Sequence, residues 1–143
     1  MTNSLFEAMG GEPGIRRLAE AWHRRCLADP IVAHAFSHGF HPDHTARLAA
    51  YWAEALGGPA RYSGGLGTET EVVRMHSGNG EASEMYAAGA ACFAAALTDV
   101  GITDGPLRER MRAWWADSIE RMDAYPESRD DVPLGLTIPR WRG

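Results

Sequence analysis

Long hydrophobic runs are missing from this chain. Its longest stretch without a charged residue, Met85 to Thr98, is 14 residues and mostly alanine, whereas a bilayer-spanning helix needs about 20 apolar residues. No membrane partner is expected. Positive charge is also short: 14 arginines and lysines stand against 19 acids, a formal net charge of -5. That balance argues against a protein that works by gripping nucleic-acid phosphates or anionic lipid. Cysteine is scarce. Cys26 and Cys92 lie in separate predicted helices and make no metal or redox spacing, so they read as buried free thiols. The opening stretch, MTNSLFEAMGGEPG, has neither the basic start nor the apolar run of a secretory signal, which makes the cytoplasm the expected location. Strand-like alternation, βαβ order and internal repeats are absent too.

What remains is helix, in an amount that suits one domain with its own core. Ser4 to Met9 makes a turn or two and stops at Gly10-Gly11. Ile15, Leu18, Ala19, Trp22 and Cys26 recur at three- and four-residue steps, as on one face of a helix. That helix ends near Asp29-Pro30, because the residue before proline is pushed out of the helical region. A short piece follows over 31–36, and 37–42 reads as a loop. The next helix runs from Pro42 to Leu56 with His44, Leu48, Tyr51 and Ala55 on one face and Trp52 at its border, stopped hard by Gly57-Gly58-Pro59. Thr68-x-x-Glu71 is a capping box for a short helix ending at His76. A long helix over 81–100 carries Met85, Gly89, Cys92 and Phe93 inward. Gly89 costs roughly 1 kcal/mol against alanine, which suggests close approach of another element or simple tolerance. The last helix opens at Asp104-Gly105-Pro106, with Trp114, Trp115 and Met122 on its inner face. Residues 1–126 form the helical body, and 127–143 an extended or loosely packed tail. The class is all-α.

The segment from Leu56 to His76 organises the rest. A short helix held between the glycine-rich run 58–67 and Ser77-Gly78-Asn79-Gly80 is a poor device for building a core. It is a good device for presenting one imidazole. His76 follows Val72 by four residues, so it points the same way as an apolar neighbour. Five other histidines exist, and His38, His41 and His44 are spaced by three. Pro42 and Gly39 break the helix that would align them, so surface or loop roles compete with a zinc site. His76 alone could be a satisfied core residue. However, His44 faces inward from one helix and His76 from another, across the glycine-rich crossover, and a planar cofactor fits between them. Phe36, Leu48, Tyr51, Trp52, Val72, Met75, Phe93 and Met122 would line the gap. Arg61, Tyr62 and Arg74 lie where cofactor carboxylates need partners.

Four groups of residues carry a resemblance. They are Phe6 with Gly10-Gly11; Asp29-Pro30 with Phe36 six residues later; Leu56-Gly57-Gly58-Pro59 with Tyr62-Ser63; and Arg74-x-His76. In these the chain resembles a truncated haemoglobin of the second group over residues 3 to about 124. The segment from Ser37 to Pro59 and the tail from Asp130 look like an actinobacterial branch of that group. The resemblance implies a truncated globin fold, a two-over-two helical sandwich. It also implies haem b with its iron held by His76 as the metal ligand. Phe36 would stack on the haem, and His44 would stand at the distal position with Leu48 one turn on. His23, after Trp22, would take a place more often held by tyrosine. The group usually carries tryptophan where this chain has Gly89.

Two distal imidazoles could each donate an N–H to bound, partly anionic O₂. Alternatively, an unprotonated one could take a proton from peroxide and return it to the leaving oxygen, and either could close the site as a sixth ligand. The expected function is therefore binding of O₂, NO, CO or peroxide, with oxygen transport, NO dioxygenase or peroxidase activity open. His44 and His23 are the candidate catalytic residues. The alternatives are a haem enzyme acting on a small organic substrate beside Gly89, unless Trp52 or Trp115 fills that space, and a helical binding domain without haem. The electron donor is unspecified, and the protein is expected to be a monomer or homodimer.

Overall fold

The computed structural model describes residues 4–36, 39 and 41–141. Helices α1 (Leu5–Ala8), α2 (Gly11–Ala28), α3 (Pro30–Ala33), α4 (His44–Ala55), α5 (Glu69–Met75), α6 (Ser83–Asp99) and α7 (Gly105–Met122) follow one another, with single 3₁₀ turns at His34–Phe36 and Arg129–Asp131. No strand occurs among the described residues. Helix α2 packs on both α4 and α6, and α6 packs on α7. This is the expected all-α, two-over-two truncated globin sandwich.

Local chemistry explains the boundaries. Asp29 sits at φ -96°, ψ 119°, as a residue before proline must. That ends α2, and its carboxylate then accepts from the Ile31 and Val32 amides at 2.9 and 3.1 Å, capping α3. The two short helical motifs of the resemblance turn out to be packing partners. Phe6 N–H donates to the Leu56 carbonyl at 3.0 Å, and a side chain at Gly58 would lie 2.7 Å from the Phe6 ring. Gly14 is equally constrained, since a Cβ there would sit 1.8 Å from the Met9 carbonyl oxygen. The turn from α1 into α2 closes because Gly14 lacks a side chain, and α1 lies against the stop of α4 because Gly58 does.

The core is aromatic. Trp52 meets Trp22, Phe93, Trp114 and Trp115 with ring centroids 5.6 to 5.8 Å apart, all close to edge-on. Phe93 stacks on Trp115 at 4.3 Å. Such pairs add to the area they bury by about 0.5–1.5 kcal/mol each.

The tail is extended and docked, not loosely packed. Val132 and Ile138 are buried in the main core, and the Trp141 amide donates to the Ala55 carbonyl at 2.7 Å. A close approach at Gly89 is not what the structure holds. Although the residue is buried, a Cβ there would meet nothing within 4 Å. The Trp22 indole N–H donates to its carbonyl at 3.4 Å.

Candidate functional site

His76 caps the C-terminus of α5, a seven-residue helix started by Thr68, whose side chain accepts from the Glu71 amide. The capping box is thus present on its Thr68 side. The His76 Nδ1–H donates to the Val72 carbonyl at 2.8 Å, in the tautomer that leaves Nε2 with its lone pair for a metal. Solvent reaches the ring, yet burial holds its pKa below 6.5, an effect the Val72 bond only partly offsets. Those two facts agree if the imidazole looks into a protein-walled concavity rather than out from the surface. Arg74, two residues before it, has its Nε buried with no hydrogen-bond partner. Such a group is costly to leave bare and suits an anionic ligand group.

A second feature is a cluster of rings from three elements. The centroids of His23 and His44 are 4.9 Å apart, those of His23 and Phe36 5.5 Å, and those of Phe36 and His44 5.4 Å. The expected distal pair and the expected stacking phenylalanine are thereby brought together. Burial lowers the pKa of His23. It lowers that of His44 as well, with the neighbouring His23 and His41 charges adding to it. Two close imidazoles do not readily charge together.

The remaining predicted lining divides. Leu48 is half-buried on the His44 face of α4, and Val72 is buried on α5 beside His76. Tyr51 donates from its hydroxyl to Glu69 at 2.6 Å, tying α4 to α5. Burial and the adjacent Glu69 raise the Tyr51 pKa, and burial raises that of Glu69. Tyr62 meets Tyr51 edge-on at 5.3 Å with the Arg47 guanidinium 5.9 Å from its ring centroid. Trp52 and Phe93 belong to the aromatic core already described. Arg61 does not stand with Arg74: its side chain is largely exposed and reaches Glu12 of α2 at 3.1 Å. Met75 is 65% exposed. Met75 is turned to solvent by its phase on α5, and Arg61 lies on the turn that follows the stop of α4.

His38 lies outside the described residues. Among the described residues no group of three or more His, Cys, Asp or Glu could hold a metal. His41 instead accepts the Asp43 amide on Nδ1 at 2.9 Å, capping its own turn. Cys26 and Cys92 share a small buried cluster as free thiols, held protonated by burial. No helix among the described residues is long and apolar enough to cross a membrane. Sequence reasoning missed Glu69 and Arg47, whose partners lie 18 and 19 residues away with no local signal.

The histidine pKa values have a consequence for stability. Unfolded histidines take up protons near 6.5, while folded His23, His44 and His76 resist until a lower pH. Between those values the unfolded state binds more protons, so stability is full above about 6.5 and falls as the pH drops through the window below it. The urea midpoint should be lower at pH 5.5 than at pH 7.5, and the decline shallower in the His23→Leu/His44→Leu double variant. A midpoint that does not move contradicts this.

A profile of the family described as bacterial-like globin matches residues 4–122. A group 1 truncated hemoglobin of Tetrahymena pyriformis is 27% identical over 106 residues, which is 74% of this chain and 84% of that protein. Among solved structures, the group II truncated hemoglobin of Bacillus anthracis superposes with a TM-score of 0.74 at 22% identity, over 88% of this chain and 95% of that one. A thermostable hemoglobin from the actinobacterium Thermobifida fusca gives 0.70 at 20%, over 94% and 100%.

Proposed function

This chain belongs to the bacterial-like globin family, and on that premise we propose that it binds haem b through His76 and takes a diatomic ligand on the side of His23 and His44. Membership of the family implies haem binding and gas-ligand binding in general. The observation that carries the proposal is the His76 bond to Val72, which leaves Nε2 as the nitrogen free to ligate, in a residue that solvent reaches.

Haem, when bound, supplies an iron centre that ligates O₂, NO or CO and can change redox state. The chain's own residues do the rest. His76 is kept neutral by burial and oriented by a backbone carbonyl. Arg74 offers its bare Nε to a carboxylate of the cofactor. Phe36 packs edge-on against both distal imidazoles and so limits their rotation. His23 and His44, with pKa values lowered by burial, stay neutral near pH 7 and can donate N–H to a ligand or move a proton. Assignment to the second truncated group is part of the proposal. Solved neighbours include group II chains, while the Tetrahymena relative is a group 1 protein.

A second reading is peroxide-dependent oxidation of a small organic molecule, favoured by the open space at buried Gly89.

The test is an absorption spectrum of the haem-loaded protein, oxidised, reduced, and reduced under CO. A haem band that shifts with CO is expected. A protein that takes up no haem overturns the proposal. Steady oxidation of a phenol with peroxide, blocked by Gly89→Leu with CO binding intact, would favour the second reading.

A further inference from the structure

The chain beyond residue 122, outside the span that the family profile matches, is bonded chiefly to the helix that carries His76 and to the residues just after it. Thr70 of α5 is 5% exposed. Its hydroxyl donates to the Pro133 carbonyl at 2.8 Å and accepts the Leu136 amide at 3.1 Å, so both its hydrogen-bonding roles are spent on the tail. Thr70, Val73 and Ser77 follow at three- and four-residue steps and are all buried. That face lies about 110° around the helix from the one shared by Val72 and His76, at 3.6 residues per turn. The tail therefore holds the helix along a face beside the one that presents the imidazole.

The other end of α5 is fixed in the same way. Immediately after His76, Gly78 N–H donates to the Tyr125 carbonyl at 2.9 Å and Gly80 N–H to the Pro126 carbonyl at 2.8 Å. The far end of the tail is anchored on the stop of α4, where the Arg140 guanidinium donates to the Gly58 carbonyl at 2.8 Å and the Trp141 amide to Ala55. Buried Val132 and Ile138 hold the middle. A seven-residue helix is too short to be stable alone, and glycine-rich chain flanks it. Its position is set by what it is bonded to.

We infer that residues 125–141 form a brace that positions the α5 helix for coordination by His76, with Thr70 as its positioning residue. This rests on the assignment of His76 as axial ligand. Freedom of α5 would translate directly into freedom of the imidazole, because His76 is its C-cap and is bonded to its last turn.

The experiment compares wild type, Thr70→Val and Thr70→Ser, each full-length and haem-loaded. One readout is amide hydrogen exchange over residues 72–77; the other is the iron–histidine stretching band of the reduced protein. Thr70→Val keeps the volume and removes both bonds. It should speed exchange roughly tenfold, as loss of a buried hydrogen bond implies, and shift or broaden the band. Thr70→Ser should restore both. Leu134→Ala, at a tail residue that is 80% exposed, should change neither. Unchanged exchange in Thr70→Val overturns the inference, and so does faster exchange with an unmoved band, since the brace would then not reach His76. Absence of any iron–histidine band in wild type would overturn the axial assignment itself and the inference with it.

Discussion

Replacing His76 by glycine should strip the protein of most of its haem, and added imidazole should bring the haem spectrum back. Removing an outer-shell partner of a metal ligand already costs roughly 10–100-fold in affinity. Deleting the ligand itself should therefore weaken haem retention by about a hundredfold or more. The variant should fold, because His76 is not part of the core: its side chain is reached by solvent and its protein bond is to a carbonyl within its own helix. Glycine leaves the space for free imidazole to occupy. Haem transfer to an acceptor globin measures the loss, and the reduced spectrum measures the rescue. A His76→Gly protein that keeps its haem and its spectrum shows that another residue ligates.

The second large effect is expected at the ring cluster. Changing His23 and His44 to leucine together should accelerate O₂ dissociation by roughly 10–100-fold, since hydrogen bonds to charged or strongly polarised groups contribute about 1.5–3 kcal/mol and each 1.4 kcal/mol is a factor of ten. The two rings lie 4.9 Å apart, close enough to reach one small ligand together. Single replacements should consequently be non-additive, the remaining imidazole compensating in part. CO, which carries less negative charge when bound, should be affected much less. Stopped-flow displacement of O₂ by CO in the four proteins of this cycle provides the test. Equal O₂ release from wild type and the double variant removes both histidines from the ligand's surroundings.

The parts of the site that could be read along the chain are those encoded by local spacing. Val72 and His76, four apart, share one side of the helix wherever that helix is placed, and the structure adds the bond from the ring nitrogen of the second to the carbonyl of the first. Asp29-Pro30 and Gly57-Gly58-Pro59 end helices by backbone sterics that need no tertiary partner. The spacing puts Tyr51 on the His44 face of its helix, whereas the bond from its hydroxyl to Glu69 has no pattern in sequence to announce it. Position in the chain groups Arg61 with Tyr62 and Arg74, but a charge on an exposed loop goes to a nearby carboxylate, here Glu12. The tail carries no periodicity, so its docking was invisible: it is held by backbone groups and one threonine hydroxyl rather than by a helical stripe.

By itself, then, the sequence determined the helices, their stops and the placing of His76 on the same side of its helix as Val72. These follow from forces that act within about four residues: steric exclusion, capping and the helical repeat. Only the tertiary structure decided that His23, His44 and Phe36 form one cluster, that the space at Gly89 is open, and that the tail holds the helix of His76. Each of these joins groups dozens of residues apart, and such contacts form only when burial of the aromatic core draws the helices together.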